Sequence, residues 1–197
     1  RQVFPIILGH VLLGAPAAWA FAKFHFRGKK ILYTLYIVLM LMPFQVTMVS
    51  SYLVLNKLGL IDTVWAVILP GAASTLPVFI MTRFFMDIPE AVMEAAAVDG
   101  ASSFQTFLRF GLPLGAPGIL SAVVLGFLEY WNAIEAPQAF LKNQALWPLS
   151  LYMSNITADN AGVSLIASLI TLMPPLLIFL SGQKYLEQGI ISSGMKD

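Results

Sequence analysis

The residues of this chain with the most chemistry to offer lie between Asp87 and Pro113, in the stretch DIPEAVMEAAAVDGASSFQTFLRFGLP. Glu90, Glu94 and Asp99 supply carboxylates, while Ala95, Ala96, Gly100 and Ala101 leave the backbone beside them almost bare. Around the acidic groups there is no nucleophile, no His or Cys to ligate a metal, and no glycine-rich run to cradle a phosphate. A catalytic reading is therefore poor and no metal site is expected. Small side chains make a narrow helix that enters a partner's cleft closely, and the glycine lets the backbone turn where a side chain would clash. The chemistry on offer is recognition by another protein.

The elements that position these residues follow from local signals. Asp87 stands where an N-cap belongs, Pro89 falls in the first turn, and Glu90, three residues on, completes a capping box. Alanine-rich sequence carries the helix to Asp99, and Gly100 closes it in the left-handed conformation. Ser102 and Gln105 form a second Ser-x-x-Gln box, which predicts another short helix to about Phe110, before Gly111 and Pro113.

Composition sets the surroundings. The 197 residues are 58% hydrophobic and 11% charged, with a mean hydropathy of +0.81, against roughly a quarter charged in soluble domains. The chain reads as an all-α, polytopic integral membrane protein in one bundle, and the absence of cysteine excludes disulfides, iron–sulfur clusters and thiol catalysis. Five apolar stretches suit spans, at residues 3–24, 31–54, 64–85, 115–136 and 163–180. Lacking an initiator methionine and a basic n-region, the first reads as neither a signal peptide nor a natural start. Eight of the eleven Lys and Arg (Lys23, Arg27, Lys29, Lys30, Arg83, Arg109, Lys184, Lys196) fall in alternate connections, and Arg1, Lys57 and Lys142 in the others. The positive-inside rule then places the 87–113 loop and the C-terminus in the cytoplasm. The basic stretch FAKFHFRGKK, pinned between two spans, is too short to wrap a duplex, so no nucleic-acid partner is expected.

Polar residues in or beside the spans are candidates for a solute pathway: Gln45 and Ser50 in the second, Glu129 and Asn132 near the outer end of the fourth. Hydrogen bonding between helices explains the first pair equally well, and an interfacial position explains Glu129. His10 reads either as a functional polar group in the membrane or as a helix-packing contact. The triplet Asn155-Ile156-Thr157 matches a glycosylation sequon that is common by chance.

Together, Ile88-Pro89-Glu90, Glu94-Ala95-Ala96, Asp99-Gly100-Ala101 and Leu112-Pro113-Leu114 resemble the EAA loop of the permease subunits of ABC importers. Collinear matches extend over most of the chain: Phe24 to Lys30, Leu58-Gly59-Leu60, Trp131-Asn132, the Pro174 region, and the ending Gln183-Lys184-Tyr185, Gly189, Gly194-Met195-Lys196. These look like the carbohydrate-uptake branch, specifically the second permease of maltose-type systems. Glu135-Ala136-Pro137 departs from it, standing where aromatic and aliphatic residues are more usual. The resemblance implies a type I importer transmembrane domain in a bacterial or archaeal cytoplasmic (inner) membrane, with one further span preceding Arg1. Implied partners are a dimer of ATP-binding subunits that hold the ATP and Mg, a second permease subunit forming a heterodimer, and an extracytoplasmic solute-binding protein. This chain itself would need no cofactor. The implied ATPase-coupling residues are Glu90, Glu94, Ala95, Ala96, Asp99, Gly100 and Ala101, and Gly189, Gly194 and Lys196 in the tail would reach toward the ATPase on an irregular backbone. An ion-coupled carrier working alone is the competing class, and it would need buried ionisable residues or broken helices around a midplane ion site, usually within internal repeats; the spans hold almost no midplane charge and no repeat is evident.

Overall fold

The computed structural model describes residues 1–154 and 161–194, which are helical with short connections and contain no strand. Three described helices are long and apolar enough to cross a membrane, and five segments are if each of two sharply bent helix pairs counts as one span. Helix α1 (Val3–Lys23) is the first of them, with one π-helical turn over His10–Gly14. Next come α2 (Lys29–Leu41) and α3 (Phe44–Lys57), which meet at 105°. Pro43 is the cause: it drives Met42 into extended backbone and removes an N–H from the ladder, so a single straight second span over 31–54 does not form.

Helices α4 (Trp65–Ala72) and α5 (Thr75–Asp87) run almost end to end. The 87–113 hairpin follows as α6 (Glu90–Val98) and α7 (Ser103–Leu114), and α7 leads through a 69° bend into α8 (Ala116–Trp131). Two short helices, α9 (Glu135–Phe140) and α10 (Leu149–Met153), lie between α8 and the last helix, α11 (Ala161–Gly194). At 1.5 Å per residue, the 34 residues of α11 reach about 51 Å, well beyond the roughly 30 Å hydrocarbon core. Its helical backbone through Gly194 corrects the irregular tail expected around Gly189 and Gly194; Lys196 and the sequon at 155–157 lie outside the described residues.

Packing centres on α8, with α5 on one side and α11 on another. The contacts are close because the facing residues are small. Phe84 of α5 lies where a Cβ on Gly118 would stand, and Val124 occupies the equivalent place at Gly182 of α11. Two polar groups of α8 also reach α11: the Ser121 hydroxyl lies 3.0 Å from the Tyr185 carbonyl, and the Trp131 indole donates to the Thr171 carbonyl at 3.2 Å. Such bonds between helices satisfy polar groups where water is absent.

Candidate functional site

The hairpin's first turn is not built as the sequence suggests. Asp87 is the last residue of α5 rather than an N-cap, Ile88 is extended, and Pro89 takes the cap position with Glu90 as the first helical residue. Pro89 explains the shift, because a proline pushes the residue before it out of the helical region and stops α5 one residue upstream. Glu90 therefore makes no capping box. It lies 3.8 Å from the ammonium of Lys23, whose side chain is only 4% exposed and also donates to the Ile88 carbonyl at 2.6 Å. Lys23 thus ties the start of the hairpin to the end of α1, a role its place in a basic patch gave no means of reading.

The elbow forms as expected. Gly100 has φ +75°, its N–H donates to the Ala97 carbonyl at 3.1 Å, and the Ala101 N–H donates to the Ala96 carbonyl at 2.9 Å. These are the two bonds of a Schellman turn, the usual way a left-handed glycine closes a helix. Just past it, Ser102 Oγ accepts from the Gln105 N–H at 3.3 Å and Gln105 Oε1 accepts from the Ser102 N–H at 2.9 Å, so the second capping box is complete. Nothing lies within 4 Å of the position a Cβ would take on Gly100. The tip of the hairpin is free.

Its surface has two characters. Ala96 is buried against the molecule, whereas Glu94, Ala95, Asp99 and Gly100 are exposed and Ala101 is half-buried. Val98 is 88% exposed and Phe104 68% exposed, one on each side of the elbow. The base is fixed by aromatic packing: the Trp19 ring lies 5.3 Å from Phe85 and 5.7 Å from Phe107, with Phe85 and Phe107 6.4 Å apart. The hairpin is a pre-shaped projection with a rigid root, small side chains and two uncovered apolar residues.

The solute-pathway candidates separate. Gln45, at the first turn of α3 beyond the Pro43 bend, donates from its amide to the Glu135 carboxylate at 2.6 Å. This joins the break between α2 and α3 to the break between α8 and α9. In the sequence Glu135 stands out only as a departure from the family pattern. Ser50 is exposed on α3, but five residues from Gln45 it points about 140° away around the helix, so the two share no face. Glu129 and Asn132 are exposed and three residues apart, the spacing that puts two side chains on one side of a helix. His10 is a packing contact: its Nε2 lies 2.9 Å from the Gly71 carbonyl and its ring 5.6 Å from that of Tyr130. Among the described residues no group of His, Asp and Glu is arranged to hold a metal ion.

Crossing helices packed through small residues, with a capped elbow projecting from one end, define a polytopic helical membrane protein. The chain belongs to the family of inner membrane components of binding-protein-dependent transport systems, whose model matches residues 10–192. Among its relatives, an arabinooligosaccharides transport system permease protein from Halalkalibacterium halodurans is 26% identical over 97% of this chain and 70% of its own length. A diacetylchitobiose uptake system permease protein from Streptomyces coelicolor is 30% identical over 93% of this chain and 63% of its own. The solved structure of a bacterial ABC transporter that imports the acidic polysaccharide alginate superposes with a TM-score of 0.79 at 21% identity, covering 93% of this chain and 71% of that one. The last match shows the fold. The chain spans about two thirds of the length of the curated relatives it matches.

Proposed function

We propose that this chain is half of the translocation path of a solute importer and that the elbow at Gly100 is its coupling element. The exposed, pre-capped tip is the observation that carries this reading: Val98 and Phe104 stand uncovered on either side of a free turn outside the apolar spans, where they offer a protein partner an apolar contact. In this reading Glu90, Glu94, Ala95, Asp99, Gly100 and Ala101 face a dimer of ATP-binding subunits in the cytoplasm, where ATP and Mg are held, while the buried Ala96 serves coupling by seating the hairpin on the rest of the chain. A second permease completes the path, an extracytoplasmic binding protein delivers the solute, and the C-terminal tail lies on the ATPase side. The oligosaccharide relatives support a sugar or sugar derivative as the solute. Gln45, with its partner Glu135, and the Glu129–Asn132 face then offer amide and carboxylate groups to hydroxyls, with Ser50 on a separate surface.

Motion of the ATPase halves would shift the hairpin as a rigid body and carry α5 and α8 with it. Gly100→Asp in the reconstituted complex tests this. A carboxylate would then stand at the closest approach, on a backbone that non-glycine residues adopt at a cost of about 1 kcal/mol. The expected result is loss of transport and of ATPase association, with the permease still inserted and folded. Normal transport by this variant would remove the elbow as the coupling element.

A further inference from the structure

A groove of about 530 Å³ opens where the loop after α1 turns into α2, and none of its lining residues belongs to the elbow or to the polar-pathway candidates. Its bed is apolar, formed by Phe21, Phe26, Tyr33 and Met86. The Phe21 ring lies 6.2 Å from Phe26 and 5.4 Å from Tyr33, so three rings make one continuous wall. The Tyr33 hydroxyl in that wall is buried and has no hydrogen-bond partner among the described residues.

The mouth of the groove is cationic. Lys29 and Lys30 line it, and Arg27 precedes them across Gly28, whose φ of +84° reverses the chain there. Lys29 is engaged, donating to the Phe24 carbonyl at 2.9 Å. Arg27 and Lys30 are exposed, and the ion pair that Lys23 makes with Glu90 uses neither. Asp87 follows the groove residue Met86 and Glu90 pairs with Lys23, against four cations at Lys23, Arg27, Lys29 and Lys30.

An apolar bed rimmed by fixed cations, at the end of membrane-crossing helices, has the chemistry of a phospholipid site with a preference for negative headgroups. Free phosphate would find no use for the aromatic wall, and an uncharged lipid none for the cations. We propose that this groove binds one anionic phospholipid, with its phosphate between Arg27 and Lys30 and an acyl chain along Phe21, Phe26 and Met86. Only the choice of leaflet rests on the cytoplasmic placement of this loop proposed above.

The test is native mass spectrometry of the full-length permease in its assembled complex, titrated with phosphatidylglycerol or with phosphatidylcholine of the same chains. Phosphatidylglycerol should be retained about tenfold better, and R27Q/K30Q should abolish that preference, as expected when two cations near a headgroup are removed. K57Q/K142Q, with the same loss of charge elsewhere, should leave it unchanged. Equal retention of the two lipids, or an undiminished preference in R27Q/K30Q, overturns the proposal. So does a photoreactive group at Phe26 that crosslinks to protein instead of lipid. Labelling of a cysteine at His25 reads sidedness separately: access from the outer face would reverse the leaflet while leaving headgroup preference intact.

Discussion

The two ends of the bundle are held in different ways. At the end carrying the hairpin, side chains lock mainly through rings: Trp19, Phe85 and Phe107 form the root, Lys23 adds one bond to the Ile88 carbonyl, and the tip at Gly100 projects free. At the other end, side chains lock onto backbone. Asp62, with φ +62°, accepts from the N–H groups of Lys142 and Asn143 at 2.8 and 2.7 Å. Gln2 donates to the Leu146 carbonyl, Trp147 to Leu141, Ser150 to Ala133 and Tyr152 to Gln144. One end is a rigid root with a free projection. The other is a surface stitched to itself at many points.

That contrast is open to attack from either side. The largest effect is expected from Phe85→Ala, which empties the middle of the aromatic root; large-to-small changes at fully buried aromatics cost about 3–5 kcal/mol. The thermal midpoint of the purified permease should fall and protease should reach the 87–113 hairpin first. Cleavage beginning instead in the 141–148 loop would reverse the assignment of the two ends.

Asp62→Ala comes next. Two backbone N–H groups lose a charged acceptor, and bonds of that type are worth about 1.5–3 kcal/mol each where buried and less where water replaces them, as here. Hydrogen exchange should accelerate at Lys142 and Asn143 while the hairpin stays unchanged. Equal acceleration at both ends would show that the two are one cooperative unit. The smallest effect belongs to Ser102→Ala, which removes one side of a complete capping box at about 1 kcal/mol. It should slightly lower protection at the start of α7 and leave α8 untouched, and a loss that spreads into α8 would show that the root does not insulate the bundle.

The same contrast explains what could be read from sequence. The elbow was legible because its parts are local: a left-handed glycine, and Ser102 three residues before Gln105, act within one turn of backbone. The helical class and the apolar stretches follow from composition. Asp87 misled because Asp-x-x-Glu looks like a box whether or not a helix is already running through it, and Pro89 decides the matter by acting on Ile88. Pro43 announced a break but not its angle, which is set by packing such as that of Phe44 on Phe140, 5.8 Å between rings. Gln45 and Glu135 are ninety positions apart in the chain, and no local pattern joins them. Lys23 was legible only as charge, since its bond to the Ile88 carbonyl requires knowing which chain segments cross.

The 69° bend between α7 and α8 gives the molecule a crank. Gly115 forms the corner, and the Phe85 ring occupies the space where a side chain there would sit, so the corner bears on α5. With α7 as the axle, a small turn about its own axis swings α8 sideways around a wide circle. The 16 residues of α8 make an arm of about 24 Å, so a twist of roughly 10° sweeps its far end through about 4 Å. Glu129 and Asn132 sit at that far end, so under the proposed coupling a modest torque at the elbow would reach them as a stroke of several ångströms.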